Sequence, residues 1–336
     1  MDHTERVHVE NRATHWPLAL TDIALAAPIV SRLLLRASLP GRIVQAAALG
    51  AYVQSAVRDW RARQGIRRID FRREFDADHD RLLSMPRAAR EHEVRVLVGR
   101  VNDGHDDGAR ARIPRRELAA VVDRHLTRYI ATITGQHVET SAEVRSFSVA
   151  KLVFPFALGA CDPFSGDVAI FRDTGVFEPH IIAHEFSHRK GYWKELHAQV
   201  IAYLALAASE EPALVQAALC ERLHRDLRVL AGESAEAMRA AITGAGLRPE
   251  IERQFLALDP APTGHAGDAA ARRVEGALRS FYDARMRLTG QRGISDYDLG
   301  FTDFLYTFET SDRARRTPPP AGVVHRPPAR SAAHAM

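Results

Sequence analysis

The sequence predicts an α+β domain that is mainly helical, with a small β-sheet edge next to a helix that bears two histidines. Apolar residues recur at helical spacing over most of the chain, whereas Val144 to Phe171 is dense in β-branched and aromatic residues. The histidine pair follows that region closely. Helices are predicted near residues 77–103, 114–134, 179–190, 194–209, 211–231, 234–244, 248–257, 266–289 and 298–309.

The first 75 residues are predicted to form a helical hairpin region. Residues 17–57 are rich in Ala, Leu, Ile and Val, and Leu39-Pro40-Gly41 divides them into halves of about 20 residues, a membrane-spanning length. Four charges interrupt the halves: Asp22, Arg32, Arg36 and Arg42. Because a charge at mid-span costs roughly 2.5–3.5 kcal/mol, two interpretations stay open: a hairpin buried on the main domain, or one lying on a membrane surface. In the membrane-surface interpretation, the arginines that follow residue 57 anchor the hairpin: Arg58, Arg61, Arg63, Arg67 and Arg68.

Residues 76–313 are predicted to form the main domain, and residues 314–336 a disordered, proline-rich tail. Within the domain, Pro114 opens the first turn of one helix and Gly135 stands just past its end. Extended segments begin at Val144, and the turn signal at 162–167 precedes a short strand at 168–171.

Composition excludes several classes of function. The 336 residues are 46% apolar, which is ample for a buried core, and the net charge of +4 is spread without a basic stripe, so no nucleic-acid role is predicted. Cys161 and Cys220 cannot build a disulfide framework or a cysteine-rich zinc site. The polar first 16 residues carry no secretory signal. The predicted location is cytoplasmic, with membrane association through residues 17–57 as the open alternative.

One pentapeptide carries the chemistry: His184-Glu185-Phe186-Ser187-His188. On a helix, His184 and His188 leave from one face about 6 Å apart along the axis, and two such imidazoles can reach one zinc ion at roughly 2.0–2.1 Å. Glu185 stands one position on, so its carboxylate addresses a metal-bound water rather than the metal. The sequence therefore predicts a zinc site with Glu185 as its general base.

A third ligand is predicted beyond a turn. Lys194 occupies the position where a third histidine would define the metzincin class, which excludes that class. Glu195 would lie about 10.5 Å beyond His188 on an unbroken helix, but a turn at Gly191 would let it swing back toward the pair. Glu195 is the predicted third ligand, and His197 is the alternative.

Other candidates have supporting roles. His180 extends the histidine stripe, but it would lie about 12 Å from His188 along the axis and is predicted to be structural. Cys161 is predicted to be a buried free thiol, and Gln199 to hydrogen-bond a metal ligand. No oxyanion donor is identifiable, and four residues remain candidates: Tyr192, Tyr203, Tyr297 and His197.

Three blocks of the chain resemble a bacterial HExxH zinc-metallopeptidase-like family of unknown function, which is related to the gluzincins and is often membrane-anchored. The blocks are residues 163–169 (PFSGDVA), 184–199 and 288–297 (LTGQRGISDY). The resemblance spans residues 144 to 310 and is weak in the N-terminal third. It implies a gluzincin-like helical domain, supports Glu195 as a zinc ligand, and makes Asp167–Phe171 the edge strand that binds substrate.

The chain departs from that family at four positions. His197 and Gln199 replace a Glu and an Asn, and Arg189 and Lys190 add charge directly after the histidine pair. These departures affect the residues that would hydrogen-bond the metal ligands and the substrate preference, rather than the metal pair. The 290–297 block has no chemistry that the sequence assigns.

The predicted function is zinc-dependent hydrolysis of a peptide bond in a peptide or protein substrate. One Zn²⁺ is held by His184, His188 and Glu195, and Glu185 activates the water. Two alternatives stay open. One is a zinc-binding or membrane-associated protein without catalysis, and the other is a helical protein without metal.

Overall fold

The computed structural model describes residues 5–11, 19–35, 38–105, 113–145, 157–162, 164–232, 234–258, 276–277, 280, 282–284, 286–288, 290–293 and 297–316. These residues are mainly helical, which confirms that part of the predicted fold class. Three predicted features lie outside them: the extended segments at 146–156, most of the helix at 266–289, and the tail from 317 onward.

Twelve α-helices are defined among the described residues. They are α1 Leu20–Leu34, α2 Leu39–Arg63, α3 Phe71–Phe75, α4 Arg87–Asp103, α5 Arg115–Thr134, α6 Glu178–Arg189, α7 Glu195–Ala207, α8 Pro212–Ala231, α9 Ala235–Gly244, α10 Pro249–Leu258, α11 Leu299–Thr310 and α12 Asp312–Arg316. A 3-10 turn at Gly175–Phe177 leads into α6. The strands are β1 Glu5–His8, β2 Gln136–Glu139, β3 Gly159–Cys161 and β4 Val168–Ile170.

Two helix boundaries differ from the prediction. The helix predicted from residue 77 begins only at Arg87, because Pro86 precedes it and proline disfavours helical backbone in the residue before it. The first residues of the predicted disordered tail belong to α12, where the Ser311 hydroxyl accepts a hydrogen bond from the Ala314 N–H and caps the helix.

Helices α6 and α7 occupy the centre of the core. All of α6 is buried, and α7 packs against α5, α6 and α8 through apolar residues such as Leu196, Ile201 and Leu204. Burying one such side chain contributes roughly 1.5–3 kcal/mol, so the pairing of the two helices is strongly favoured. The site described below therefore stands on two helices that are almost completely buried.

Strands β3 and β4 form an antiparallel pair next to α6, with Gly159 opposite Ile170 and Cys161 opposite Val168. The other side of β4 is also paired, because the backbone of Arg145 exchanges hydrogen bonds of 2.9 and 2.7 Å with Val168 and Ile170. The prediction that Asp167–Phe171 is an edge strand is therefore wrong. Among the described residues, β3 is the outer strand.

Strands β1 and β2 form a second, parallel pair that the sequence analysis did not predict. The polar β1 segment Glu5–His8 has mostly exposed side chains, so it lacks the apolar alternation that marks a strand. Pairing with β2 ties the start of the chain to the end of α5.

The N-terminal hairpin of α1 and α2 leaves most of its apolar surface exposed. Among the described helices, none combines the length and apolar character that crossing a membrane requires. The second half of α2 contacts the main domain. The Tyr52 hydroxyl donates to Asp162 Oδ1 at 3.3 Å, Arg63 donates from Nε to the Arg189 carbonyl at 3.2 Å, and the Arg63 guanidinium lies 5.4 Å from the Trp193 ring centroid. Arg63 is buried there, so it is not available as one of the anchors named in the membrane-surface interpretation.

Asp59 is buried beside Arg63 in this docked segment, with 3.7 Å between Asp59 Oδ2 and Arg63 Nη2. Burial raises the pKa of Asp59 to about 7, although Arg63 and Arg189 act in the opposite direction. The folded state therefore binds a proton between the ordinary pKa of 3.8 and about 7 that the unfolded state has released. As a result, Asp59 makes the protein less stable as pH rises through that window.

Replacement of Asp59 by Asn is expected to remove this pH dependence. The variant should be about 1–3 kcal/mol more stable than wild type at pH 8, and the difference should shrink toward pH 4, because each pKa unit corresponds to about 1.4 kcal/mol. Urea unfolding across this range measures both quantities. An equal loss of stability between pH 4 and pH 8 in the two proteins would show that Asp59 does not titrate in this window.

Candidate metal centre

Helix α6 places the histidine pair on one face. Glu178 lies in its first turn, where the helix dipole favours a carboxylate, and Arg115 Nε binds Glu178 Oε1 at 2.6 Å. One turn apart, the rings of His184 and His188 have centroids 4.7 Å from each other and planes at 86°. Their Nε2 atoms lie 3.1 Å apart.

A reversal of the chain brings the third side chain to this pair. Helix α6 ends at Arg189, and Gly191 adopts a φ of 97°, a conformation that favours glycine. The chain turns there, and α7 begins at Glu195. Glu195 Oε2 lies 3.2 Å from the Nε2 atoms of both His184 and His188. The structure thus brings together the three residues predicted as metal ligands.

The spacing of these three atoms fits a single metal ion. Zinc–ligand distances of about 2.0–2.1 Å in a tetrahedron place neighbouring ligand atoms about 3.3 Å apart, and the three observed separations are 3.1, 3.2 and 3.2 Å. All three side chains are buried. Two imidazoles and one carboxylate are a donor set that zinc accepts, and three protein ligands leave a coordination position for water or substrate.

Hydrogen bonds orient His188 toward the metal position. Its Nδ1 lies 2.7 Å from the Tyr192 carbonyl, so Nδ1–H donates and Nε2 is directed at Glu195. Burial lowers the pKa of His188, but the Glu195 carboxylate outweighs burial and raises it to about 9. A metal ion bound at Nε2 must displace this proton.

Two residues about 90 positions away support Glu195. The Tyr282 hydroxyl donates to Glu195 Oε1 at 2.5 Å, and the Glu195 backbone N–H donates to Gln291 Oε1 at 2.8 Å. Gln291 thereby caps the first turn of α7, where Lys194 makes no side-chain cap. Sequence reasoning missed Tyr282, and no pattern around it indicates the role. Gln291 lies in the block whose chemistry the sequence left unassigned.

Replacement of Tyr282 by Phe is expected to weaken zinc binding by about 10–100-fold. The hydroxyl fixes the orientation of a ligating carboxylate, and losing such a partner typically has an effect of this size. Competition with a chromophoric zinc chelator measures the affinity. Tyr306→Phe, on α11, is the control, and it should bind zinc as wild type does. Equal affinity in the Tyr282 variant would show that this hydrogen bond does not orient Glu195.

Glu185 lies between the histidine pair and strand β3. It accepts a hydrogen bond from the Cys161 backbone N–H, and a Cβ added at Gly159 would lie 3.2 Å from Glu185 Cγ. Burial raises the pKa of Glu185. The nearby His184 and His188 lower this pKa, whereas the Glu195 carboxylate raises it. Glu185 is thus close enough to the three ligand residues to interact with their charges, but its carboxylate is not one of the atoms that meet at the metal position.

The other predicted residues lie elsewhere. His197, the alternative third ligand, points to Asp78 with 2.9 Å between Nε2 and Oδ1. His180 is buried 3.9 Å from Glu221, which agrees with its predicted structural role. Gln199 donates to Glu221 at 2.6 Å, and Glu221 is not one of the metal ligands. The prediction that Gln199 hydrogen-bonds a metal ligand is therefore wrong.

Cys161 is a free thiol that is half-buried rather than fully buried. Burial raises its pKa, so it stays protonated. Its contribution to the site is the backbone N–H that reaches Glu185.

Of the four predicted oxyanion candidates, only Tyr297 places its side-chain donor beside the ligands. The Tyr192 hydroxyl accepts from the Ile69 N–H at 3.3 Å, and Tyr203 lies in the core 3.4 Å from Arg222. His197 is engaged by Asp78, as described. Tyr297 has its ring 6.0 Å from that of His184 and its hydroxyl 3.4 Å from that of Tyr282.

The two charges after the histidine pair are structural. Arg189 is fully buried and donates to the carbonyls of Gly166, Ser141 and Glu143. Lys190 is also fully buried, with its Nζ 2.9 Å from Asp123 Oδ1. The expectation that these charges affect substrate preference therefore has no support in their positions.

Comparison of the chain with family models, with curated proteins and with solved structures gives no match.

Proposed function

We propose that this chain is a zinc-dependent metallopeptidase with a gluzincin-like catalytic domain. The observation that supports this most is the convergence of His184, His188 and Glu195 to mutual distances of 3.1–3.2 Å, with a buried Glu185 beside them. Zinc is the proposed metal because histidine and carboxylate ligands with one open position form its typical catalytic site.

When bound there, a zinc ion would act as a Lewis acid and lower the pKa of a water ligand toward about 7. Glu185 supplies the base that takes the proton of the attacking water and returns it to the leaving nitrogen. The hydrogen bond from the Cys161 N–H stabilises the charged form of this carboxylate, which is the form that acts as a base.

Tyr297 is the proposed donor to the oxyanion that develops on the substrate. Burial and the Glu195 carboxylate raise the pKa of its hydroxyl, so it keeps its proton and can donate a hydrogen bond. Tyr282, 3.4 Å away, connects it to Glu195.

The proposed substrate is an extended peptide that lies along β3. Leu158 and Asp162 direct backbone groups toward β4, through bonds to Phe171 and Asp167. By alternation, Gly159 and Cys161 direct their N–H and C=O groups to the opposite side, where the Cys161 N–H meets Glu185. A peptide added as a strand at Gly159 would present its carbonyl next to Glu185.

The test is hydrolysis by the purified full chain loaded with zinc and incubated with a diverse peptide library. Mass spectrometry should detect cleavage that a zinc chelator abolishes and added zinc restores. Bound zinc without any cleavage would contradict the proposal and favour a non-catalytic zinc-binding protein.

We propose, as a second candidate function, that the N-terminal hairpin docks on an anionic membrane surface. Most of the large apolar side chains that are exposed among the described residues lie on α1, on α2 or at the C-terminal cap of α1: Ile29, Val30, Leu33, Leu34, Leu35, Leu39, Ile43, Val44, Leu49, Val53, Val57 and Trp60. A surface of this kind marks an interaction site, and Arg32 and Arg42 on the same hairpin favour anionic lipid.

Sedimentation with anionic vesicles tests the second candidate. Wild type should sediment with vesicles at low salt, and Leu33→Glu/Leu34→Glu should reduce the bound fraction several-fold. Leu83→Glu, at an exposed apolar position outside the hairpin, is the control and should bind as wild type does. Equal sedimentation of the hairpin variant and wild type would contradict membrane docking.

A further inference from the structure

We propose that Asp78, His79 and His197 form a second site for a divalent transition-metal ion, separate from the site on α6. These residues offer one carboxylate oxygen and two imidazole nitrogens that all lie within 4.8 Å of one another. Ligand atoms this close can contact one ion after small side-chain movements.

Two segments of the chain meet at this cluster. Asp78 and His79 follow α3 in a turn that starts at Asp76, whose φ of 54° is the only positive value of a non-glycine residue in the described part of the chain. His197 stands on α7 two residues after Glu195, about 200° around the helix. Glu195 and His197 therefore serve opposite faces of the same helix.

The rings and the carboxylate are held in place. His197 stacks on Phe71 with ring centroids 3.7 Å apart and planes at 9°, which fixes the direction of its Nε2 toward Asp78. The backbone N–H of His79 donates to Asp78 Oδ1 at 2.8 Å and orients the carboxylate. The His79 ring lies 5.1 Å from that of His197.

The donor set indicates the class of ligand. Two imidazoles and one carboxylate suit zinc and its neighbours in the first transition row, whereas calcium and magnesium prefer oxygen ligands alone. The 2.9 Å between His197 Nε2 and Asp78 Oδ1 would widen by about 0.4 Å around a tetrahedral ion. Asp78 and His197 are partly exposed, so an ion can arrive from solvent.

An ion here would have a structural effect on the first site. It would fasten the turn after α3 to α7, the helix whose first residue is Glu195. Without an ion, His197 Nε2 and Asp78 Oδ1 form a direct hydrogen bond instead.

The test is the zinc content of purified full chains after equilibration with Zn²⁺ and removal of loosely bound metal. Wild type and the control His92→Gln, an exposed position on α4, should each retain two equivalents. Asp78→Asn/His79→Gln should retain one, and His188→Gln should retain one. Zinc should also raise the Tm of His188→Gln, but not that of the variant carrying all three substitutions.

The results separate the two proposals. One equivalent in wild type that survives Asp78→Asn/His79→Gln and disappears in His188→Gln would overturn the second site and leave the proposed function standing. One equivalent that disappears in Asp78→Asn/His79→Gln and survives in His188→Gln would support the second site and contradict the proposed function. No zinc in wild type would overturn both.

Discussion

Replacement of Glu185 by Gln is expected to lower peptide hydrolysis by about 10²–10⁴-fold while zinc stays bound, because a positioned general base typically contributes that much to the rate. Gln keeps the size of the side chain and can still accept the Cys161 N–H, but it cannot take a proton from water. The measurement pairs kcat/KM on a cleaved library peptide with zinc content.

The control for this variant is Glu236→Gln, at an exposed position in the first turn of α9, which should cleave as wild type does. If the Glu185 variant hydrolyses peptides at the rate of wild type, Glu185 is not the base and the mechanism is wrong. If both activity and zinc are lost, the variant has lost the site rather than the base, and the zinc measurement detects this.

Replacement of Glu195 by Ala is expected to lower zinc affinity at the α6 site by more than about 100-fold. Loss of a residue that only hydrogen-bonds a ligand lowers metal affinity by up to about 100-fold, and loss of the ligand itself should have a larger effect. Two imidazoles alone cannot complete the three protein ligands of a catalytic zinc site. Without the carboxylate that raises its pKa, His188 releases its proton more easily, but this does not replace the missing ligand. Competition with a chelator, carried out in the Asp78→Asn/His79→Gln background, isolates this site.

Glu117→Ala provides a matched control, since Glu117 is also a first-turn glutamate, on α5, and is exposed. It should bind zinc as the parent does. Unchanged affinity in the Glu195 variant would mean that the carboxylate lies near the histidines for electrostatic reasons alone and holds no metal.

Much of the fold is local and could be predicted from the sequence. Apolar spacing predicts α6, α7 and α8 to within about two residues, because buried helices show a 3.6-residue period wherever their ends carry clear signals. For predicting the metal site from the sequence, Gly191 was the most informative residue. A glycine between two helical patterns predicts a turn, and a turn brings Glu195 to the histidine pair.

What the sequence did not reveal depends on contacts between distant residues. Tyr282 and Gln291 support Glu195 from about 90 positions away, and periodicity contains no information about such pairs. The pairing of β4 on both sides depends on Arg145, so the choice of edge strand could not be made from one strand alone. Arg189 is charged, and the sequence gives no sign that its guanidinium is buried and donates hydrogen bonds to three backbone carbonyls.

Anomalous diffraction at the zinc absorption edge, from crystals grown with zinc, tests the central claim most directly. We expect a strong peak about 2.0–2.2 Å from His184 Nε2, His188 Nε2 and Glu195 Oε2, with one coordination position not filled by protein. A map without a peak among these atoms, with the Glu195 carboxylate turned toward solvent, would contradict the metal centre and the hydrolytic function built on it.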